Sequence, residues 1–170
     1  MGNVVEIRRL APEDSLEELT GLLHRAYGAL GAMGFNYTAV DQPVERTRER
    51  AGDGECYVAV ERGRIVATAT FGLVEKMRRP PEYARPGMAY LTQFAVEPEL
   101  QGQGLGSRLL RRVEEHARER GATEIALDTA EGAIHLVQYY ATRGYAPLGH
   151  VKRAGKSYRS VILTKRFGRR

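Results

Sequence analysis

The chain has 170 residues, 42% of them apolar and 28% charged, with a net charge of +5. Such a composition excludes disordered and fibrous classes and suits one soluble core of domain size, so a single domain over residues 1–170 is expected. No apolar run reaches the roughly 18 residues of a membrane span, and "MGNVVEIRRL" reads neither as a signal peptide nor, with Glu6 where Ser or Thr is needed, as a myristoylation site.

In chain order, residues 4–10 read as a strand and residues 12–30 as a helix with Leu16, Leu19, Leu23 and Tyr27 on one face, capped by Asp14 or Ser15. A polar, glycine-bearing segment (31–42) and a short helix near 43–51 follow. "CYVAVERGRIVATATFGLVE" holds two β-rich runs around Arg62-Gly63, the pattern of an antiparallel hairpin. Its single cysteine, Cys56, precludes an intramolecular disulfide; a buried apolar role and a reducing, cytoplasmic setting are the defaults. "RRPPEYARPG" (78–87) is a loop, "MAYLTQFAV" a strand, 105–120 a helix, "EIALD" a strand and 133–143 a helix. "YAPLGHVKR" and "YRSVILTKR" close the chain as a hairpin, and "KRFGRR" reads as a frayed basic tail. Strand, helix, strand in the second half implies a right-handed parallel crossover, and the hairpins imply antiparallel edges.

The excess of basic residues suits nucleic acid, a membrane surface or a polyphosphate. Arginines interleaved with glutamates, as in "RRVEEHARER", instead mark a solvated helix face, so nucleic acid and membrane are not the expected partners. Three phosphate-binding readings compete for "QGQGLGSRLL" (101–110), beside an ordinary flexible turn. A P-loop requires a lysine that this loop lacks. The dinucleotide fingerprint requires GxGxxG directly after a strand. Here the spacing is GxGxG, with Ser107 at the third position and "EPEL" intervening. The remaining reading is a pyrophosphate held by consecutive backbone amides at a helix N-terminus, which needs no lysine.

Gln101, Gly104 and Gly106 match Gln/Arg-x-x-Gly-x-Gly/Ala, and "YYATRGY" is similar to Tyr-x-x-x-Gly-Phe/Tyr. On these motifs and the surrounding order of elements, the chain resembles the GNAT superfamily of N-acetyltransferases. The N-terminal half matches only in outline. The resemblance implies an α/β fold: a mixed, mostly antiparallel sheet of six to seven strands, with a splayed central parallel pair and helices on both faces. It further implies acetyl-CoA as co-substrate, pantetheine along the backbone of Phe94, Ala95 and Val96, and pyrophosphate on the amides of Gln101, Gly102, Gln103, Gly104, Leu105, Gly106 and Ser107. No metal is expected, because His24, His116, His135, His150 and Cys56 are scattered without ligand spacing. Arg108, Arg111 and Arg112 are either phosphate ligands or solvated.

For an amine of pKa about 10.4, deprotonation at pH 7 costs roughly 4–5 kcal/mol, so a base or a desolvating site is expected. Tyr140, four residues before Gly144, is the candidate acid for the leaving thiolate, although Ala133, Leu136, Val137 and Tyr140 also form an apolar stripe. Tyr139 points away from that stripe. Strict alternation places Tyr90 and Thr92 on the face of Phe94 and Val96, where some relatives carry a glutamate base. Asp128 is then the first candidate for relaying the amine proton through water, with Glu131 and His24 behind it. Ala133 departs from an asparagine that many relatives use on the cofactor. The acceptor, a small-molecule or peptide amine, is expected opposite the cofactor, between residues 31–42 and 78–87, which carry Tyr37, Asp41, Glu82 and Tyr83. A non-catalytic acyl-CoA-binding sensor or scaffold and a basic nucleic-acid-binding domain are the competing functions; a homodimer is the commonest assembly.

Overall fold

The structure is a computed structural model that describes residues 2 and 4–168. Seven strands form one sheet in the order β1-β2-β3-β4-β5-β7-β6. The strands are β1 (Val5–Arg9), β2 (Glu55–Glu61), β3 (Arg64–Leu73), β4 (Met88–Val96), β5 (Glu124–Ala130), β6 (Ala146–Lys152) and β7 (Arg159–Arg166). All neighbours are antiparallel except β4 and β5. Helices α1 (Leu16–Ala32) and α2 (Val44–Gly52) pack on one face, and α3 (Leu105–Glu119) and α4 (Ile134–Ala141) on the other.

Local chemistry explains the elements. Ser15 caps α1 by accepting from the Glu18 amide at 3.0 Å, whereas Asp14 is taken up by Arg8 and the Ala11 amide. Arg62 and Gly63 both have positive φ, as a two-residue hairpin turn between β2 and β3 requires. Leu105, Leu109, Leu110, Val113 and Ala117 put one face of α3 into the main core, each leucine contributing about 1.5–3 kcal/mol. Cys56 is buried in β2, and burial pushes its thiol pKa up. No helix among the described residues is long and apolar enough to cross a membrane.

β4 departs from plain alternation. Thr70 pairs with Thr92 and Thr68 with Ala95, so Gln93 and Phe94 together oppose Ala69. Gln93 is the bulged residue, with φ 51°. This bulge corrects the expected facing of Tyr90. Tyr90 lies with Met88 on the α1 side, while Phe94 and Val96 pack against the α3 core beside Leu91. The extra residue inverts side-chain parity along the second half of the strand. β4 and β5 pair only between Met88–Tyr90 and Glu124–Ala126, although β4 runs on to Val96 and β5 to Ala130. Their C-terminal ends diverge, and a crevice opens between them.

The basic tail also departs from expectation. Lys165 and Arg166 belong to β7, Phe167 packs on the core with its amide donating to Thr123 O at 2.9 Å, and Arg118 donates to Gly168 O at 2.6 Å. An aromatic residue within the basic run anchors it. Arg169 and Arg170 lie outside the described residues.

Candidate active site

A cleft of about 1280 Å³ follows the crevice between β4 and β5. One end is walled by Gln101, Gly102, Gly104, Gly106 and Ser107, and the other by side chains from α1, α2, β5 and the β6–β7 loop. Phe94, Ala95, Val96, Tyr139 and Tyr140 lie on its lining, whereas Gln103 and Leu105 border a smaller depression with Arg108.

At the glycine end, none of the six amides from Gly102 to Ser107 donates to an acceptor among the described residues. The α3 N-cap is Gly104, which brings no capping side chain. Gly102 and Gly104 take φ values of 77° and 86°, with no atom within 4 Å of where a Cβ would stand. An open row of unsatisfied donors at the positive end of a helix dipole fits a diphosphate. Gly106 is glycine for a different reason: a Cβ there would stand 2.9 Å from Tyr139 Oη and 3.3 Å from Val96 Cγ2. Gln101 holds the strand end by donating from Nε2 to Val96 O at 3.1 Å.

The sequence reading missed Arg143. Its guanidinium donates to Ser107 Oγ at 2.7 and 3.1 Å and lies 3.4 Å from the centre of the Tyr139 ring, which sets a cation against the amide row. Its position in "YYATRGY" was the available signal. Arg112 instead lies over the Tyr57 ring at 5.5 Å.

Between the two ends stands Tyr140, 7% exposed, its ring 6.4 Å from that of Phe94. It is both a core residue and a lining residue, and its hydroxyl makes no hydrogen bond among the described residues. Burial, with smaller contributions from Tyr27, Tyr139 and Tyr37, pushes its pKa well above 10.

At the far end, the Asp128 carboxylate accepts four hydrogen bonds: from Tyr83 Oη (2.7 Å), Tyr90 Oη (3.1 Å) and two Arg153 nitrogens (2.6 and 3.0 Å). Arg153 also grips Glu82 at 2.8 and 2.9 Å, linking the proline loop, β5 and the β6–β7 loop. Residues 31–42 complete the wall. Tyr37 Oη lies 2.7 Å from Thr129 Oγ1 and accepts from the Ala130 amide, and the Tyr37 ring sits 4.9 Å from that of Tyr158. Asn36 fastens this segment to the β6–β7 loop, donating to Gly155 O at 2.8 Å and accepting from the Ser157 amide at 2.7 Å.

Of the acceptor-side candidates, Tyr37 and Glu82 line the cleft and Tyr83 braces Asp128; Asp41 is not on the lining. The two reserve bases stand outside it. His24 Nε2 is engaged with Gln42 O at 2.8 Å, and Glu131 pairs with Arg159 at 2.9 Å. Arg50, Arg153, Lys156 and Tyr158 were missed because they reach the cleft from elements remote in sequence.

A splayed parallel strand pair, with unsatisfied helix-start amides at one end of the cleft and a polar lining at the other, has room for a diphosphate-bearing donor and an acceptor side by side. Comparison with known proteins makes the assignment specific. The chain belongs to the GNAT acetyltransferase family, whose family model matches residues 16–145. It is 29% identical over 161 residues to S-(2-succino)cysteine N-acetyltransferase of Bacillus subtilis (strain 168), covering 94% of each chain. It is 26% identical over 168 residues to S-alkylcysteine N-acetyltransferase of the same organism, covering 95% of this chain and 92% of that protein. Among solved structures, PaiA N-acetyltransferase from Thermoplasma acidophilum in complex with coenzyme A has the same fold. It superimposes with a TM-score of 0.73 at 16% identity over 96% of this chain and 99% of that one.

Proposed function

We propose that the protein transfers an acetyl group from acetyl-CoA to the primary amine of a small-molecule acceptor that enters opposite the glycine loop. One observation carries this reading: a single continuous cleft joins a row of unpaired amides to a tyrosine-, carboxylate- and arginine-lined pocket, with the unpartnered Tyr140 hydroxyl between them. The two relatives are named for N-acetylation of S-substituted cysteines, so an S-substituted cysteine is the first acceptor to try.

Acetyl-CoA supplies the acyl group as an activated thioester. The amides of Gly102 to Ser107, with Arg143 behind Ser107, hold the diphosphate, and the pantetheine arm runs along β4 at Phe94, Ala95 and Val96, where the Phe94 and Val96 carbonyls already accept from Tyr27 Oη at 3.0 Å and Gln101 Nε2 at 3.1 Å and either accept from the arm as well or exchange those donors for it. Amides of the diverging β4 edge at Phe94 and Val96 stabilise the developing oxyanion.

Tyr140 keeps a proton at Oη on the side where the leaving group departs. With its pKa above 10, full transfer to a thiolate of pKa about 8.5 is uphill by more than about 2 kcal/mol. Tyr140 therefore acts as a hydrogen-bond donor whose transfer completes late. Asp128, alone among the lining carboxylates in lying on the sheet, faces the amine and receives its proton through water; Arg153, Tyr83 and Tyr90 fix its orientation.

The test is incubation with acetyl-CoA and a panel of amines, followed by thiol release and by mass detection of one added acetyl group. A non-catalytic acyl-CoA-binding module predicts binding without either signal.

A further inference from the structure

Arg50 and Lys156, two partly buried cations on the acceptor side of the cleft, have no ion-pair partner among the described residues. Arg50, near the end of α2, donates from Nη1 to the neutral Oε1 of Gln42 at 2.9 Å and pairs with no carboxylate among the described residues. Lys156, in the β6–β7 loop, donates to Asn36 O at 2.9 Å and Thr38 Oγ1 at 3.1 Å, again neutral groups. Of the other cations on this part of the lining, Arg46 pairs with Glu49 at 2.8 Å and Arg153 with Glu82 and Asp128, while Arg48 is exposed to solvent, which meets its charge without a partner.

Leaving a half-buried guanidinium without a counter-charge is costly. Burial pulls the Arg50 pKa below its ordinary value, against opposing influences from Tyr27, Tyr90 and Asp128. Burial likewise lowers Lys156, and Arg50 is the next cause, so the two cations destabilise one another. A compact anion placed against both relieves desolvation and mutual repulsion together. The planar fork of arginine suits a carboxylate.

We propose that Arg50 and Lys156 bind the carboxylate of the acceptor, which is therefore an amino acid or amino-acid conjugate rather than a simple amine or polyamine. The charges are complementary: an ammonium faces Asp128, a carboxylate faces Arg50 and Lys156, and the Tyr37 and Tyr158 rings offer an apolar wall for the side chain. This assignment rests on the acetyl-transfer reading for its acceptor, and binding and transfer are therefore read separately.

The test is calorimetric titration of the full chain with S-methylcysteine, its decarboxylated analogue S-methylcysteamine, and phosphoethanolamine. The wild type and the Arg50→Gln, Arg50→Lys and Lys156→Gln variants are compared, with unfolding curves confirming that each is folded. The wild type should favour S-methylcysteine over S-methylcysteamine by at least about tenfold, the factor that one charge-assisted hydrogen bond supplies. R50Q and K156Q should reduce that preference, and R50K should retain part of it. Equal binding of the two thioethers, binding of neither, preference for phosphoethanolamine, or an unchanged preference in R50Q overturns the carboxylate site. Thiol release from acetyl-CoA is measured with the same amines. Equal transfer to both thioethers removes the carboxylate site and leaves acetyl transfer standing. Carboxylate-selective binding without transfer does the reverse.

Discussion

Alanine at Gly104 and at Gly106 should damage the protein in different ways, because the two glycines are required for different reasons. Gly104 has φ 86° and open space around it, so alanine there meets no neighbour but must hold a left-handed backbone, at about 1–2 kcal/mol. Gly106 lies in the first turn of α3 with helical backbone, so alanine gains about 1 kcal/mol of helix propensity. Its Cβ, however, would press on Tyr139 Oη at 2.9 Å, Val96 Cγ2 at 3.3 Å and Phe94 Cζ at 3.4 Å. Tyr139 cannot simply swing away, because Arg143 lies over its ring at 3.4 Å. Overpacking of this kind costs about 1–3 kcal/mol, which leaves a net loss of about 1 kcal/mol after the helix gain. In a domain of this size each kcal/mol lowers Tm by about 2–4 °C, so both variants should stay folded. Thermal unfolding with and without CoA, together with CoA titration, separates stability from binding. G104A should lose at least about tenfold in CoA affinity, since straining Gly104 turns its neighbouring amides away from a common point. A lowered Tm with unaltered CoA affinity in G104A would refute the amide-cradle reasoning and leave the loop as a turn.

Tyr140→Phe removes one hydroxyl with no partner among the described residues, so stability should hold while kcat falls at least about tenfold and KM for acetyl-CoA stays nearly constant; unaltered turnover in steady-state assays removes the acid role. Asn36→Ala deletes two of the hydrogen bonds joining residues 33–38 to the β6–β7 loop, each worth about 0.5–1.5 kcal/mol, and should raise KM for the acceptor severalfold while CoA affinity is unchanged. His116 gives a pH dependence of defined sign. Arg120 Nε donates to its Nε2 at 3.1 Å and Tyr57 Oη bonds its Nδ1, an arrangement of the neutral ring, and burial lowers its pKa below 6.5. The unfolded chain then binds the proton more readily, so the stability contributed by His116 is fully present above pH 6.5 and is lost as pH falls toward the folded-state pKa. Thermal unfolding between about pH 5 and 7 should show this slope in the wild type and a shallower one in His116→Gln.

Local signals carried most of the element order. Glycine spacing and the apolar face of residues 105–117 placed the loop and α3, and the two β-rich runs around Arg62-Gly63 marked the first hairpin, whose two turn residues take positive φ in the structure. The bulge at Gln93 was not legible because "YLTQFAV" places two polar residues side by side without a glycine or proline to mark which of them is the extra one. The extra residue is imposed by pairing with β3 and by Gln42, whose Nε2 donates to Gln93 Oε1 at 2.8 Å across 51 positions of sequence. The far end of the cleft was illegible for the same reason. Arg50, Asp128 and Arg153 converge only after β7 has inserted between β5 and β6. The loops 31–42 and 78–87 were recognisable as walls, but the β6–β7 loop that closes them looked like an ordinary hairpin turn until Asn36, Ser157 and Lys156 were seen to clasp. Phe167 shows how one aromatic residue in a basic run converts an expected loose end into a packed one.

The central claim is that the amide row and the acceptor pocket serve one reaction in one cleft. It is tested most directly by mixing the wild-type protein with acetyl-CoA and S-methylcysteine and measuring CoA thiol and N-acetylated product together. Thiol and product should appear in equal amounts, both strongly reduced in Tyr140→Phe. Acetyl-CoA that binds and raises Tm, yet gives neither thiol nor product with S-methylcysteine or any amine of the panel, would contradict the account and leave an acyl-CoA-binding module in its place.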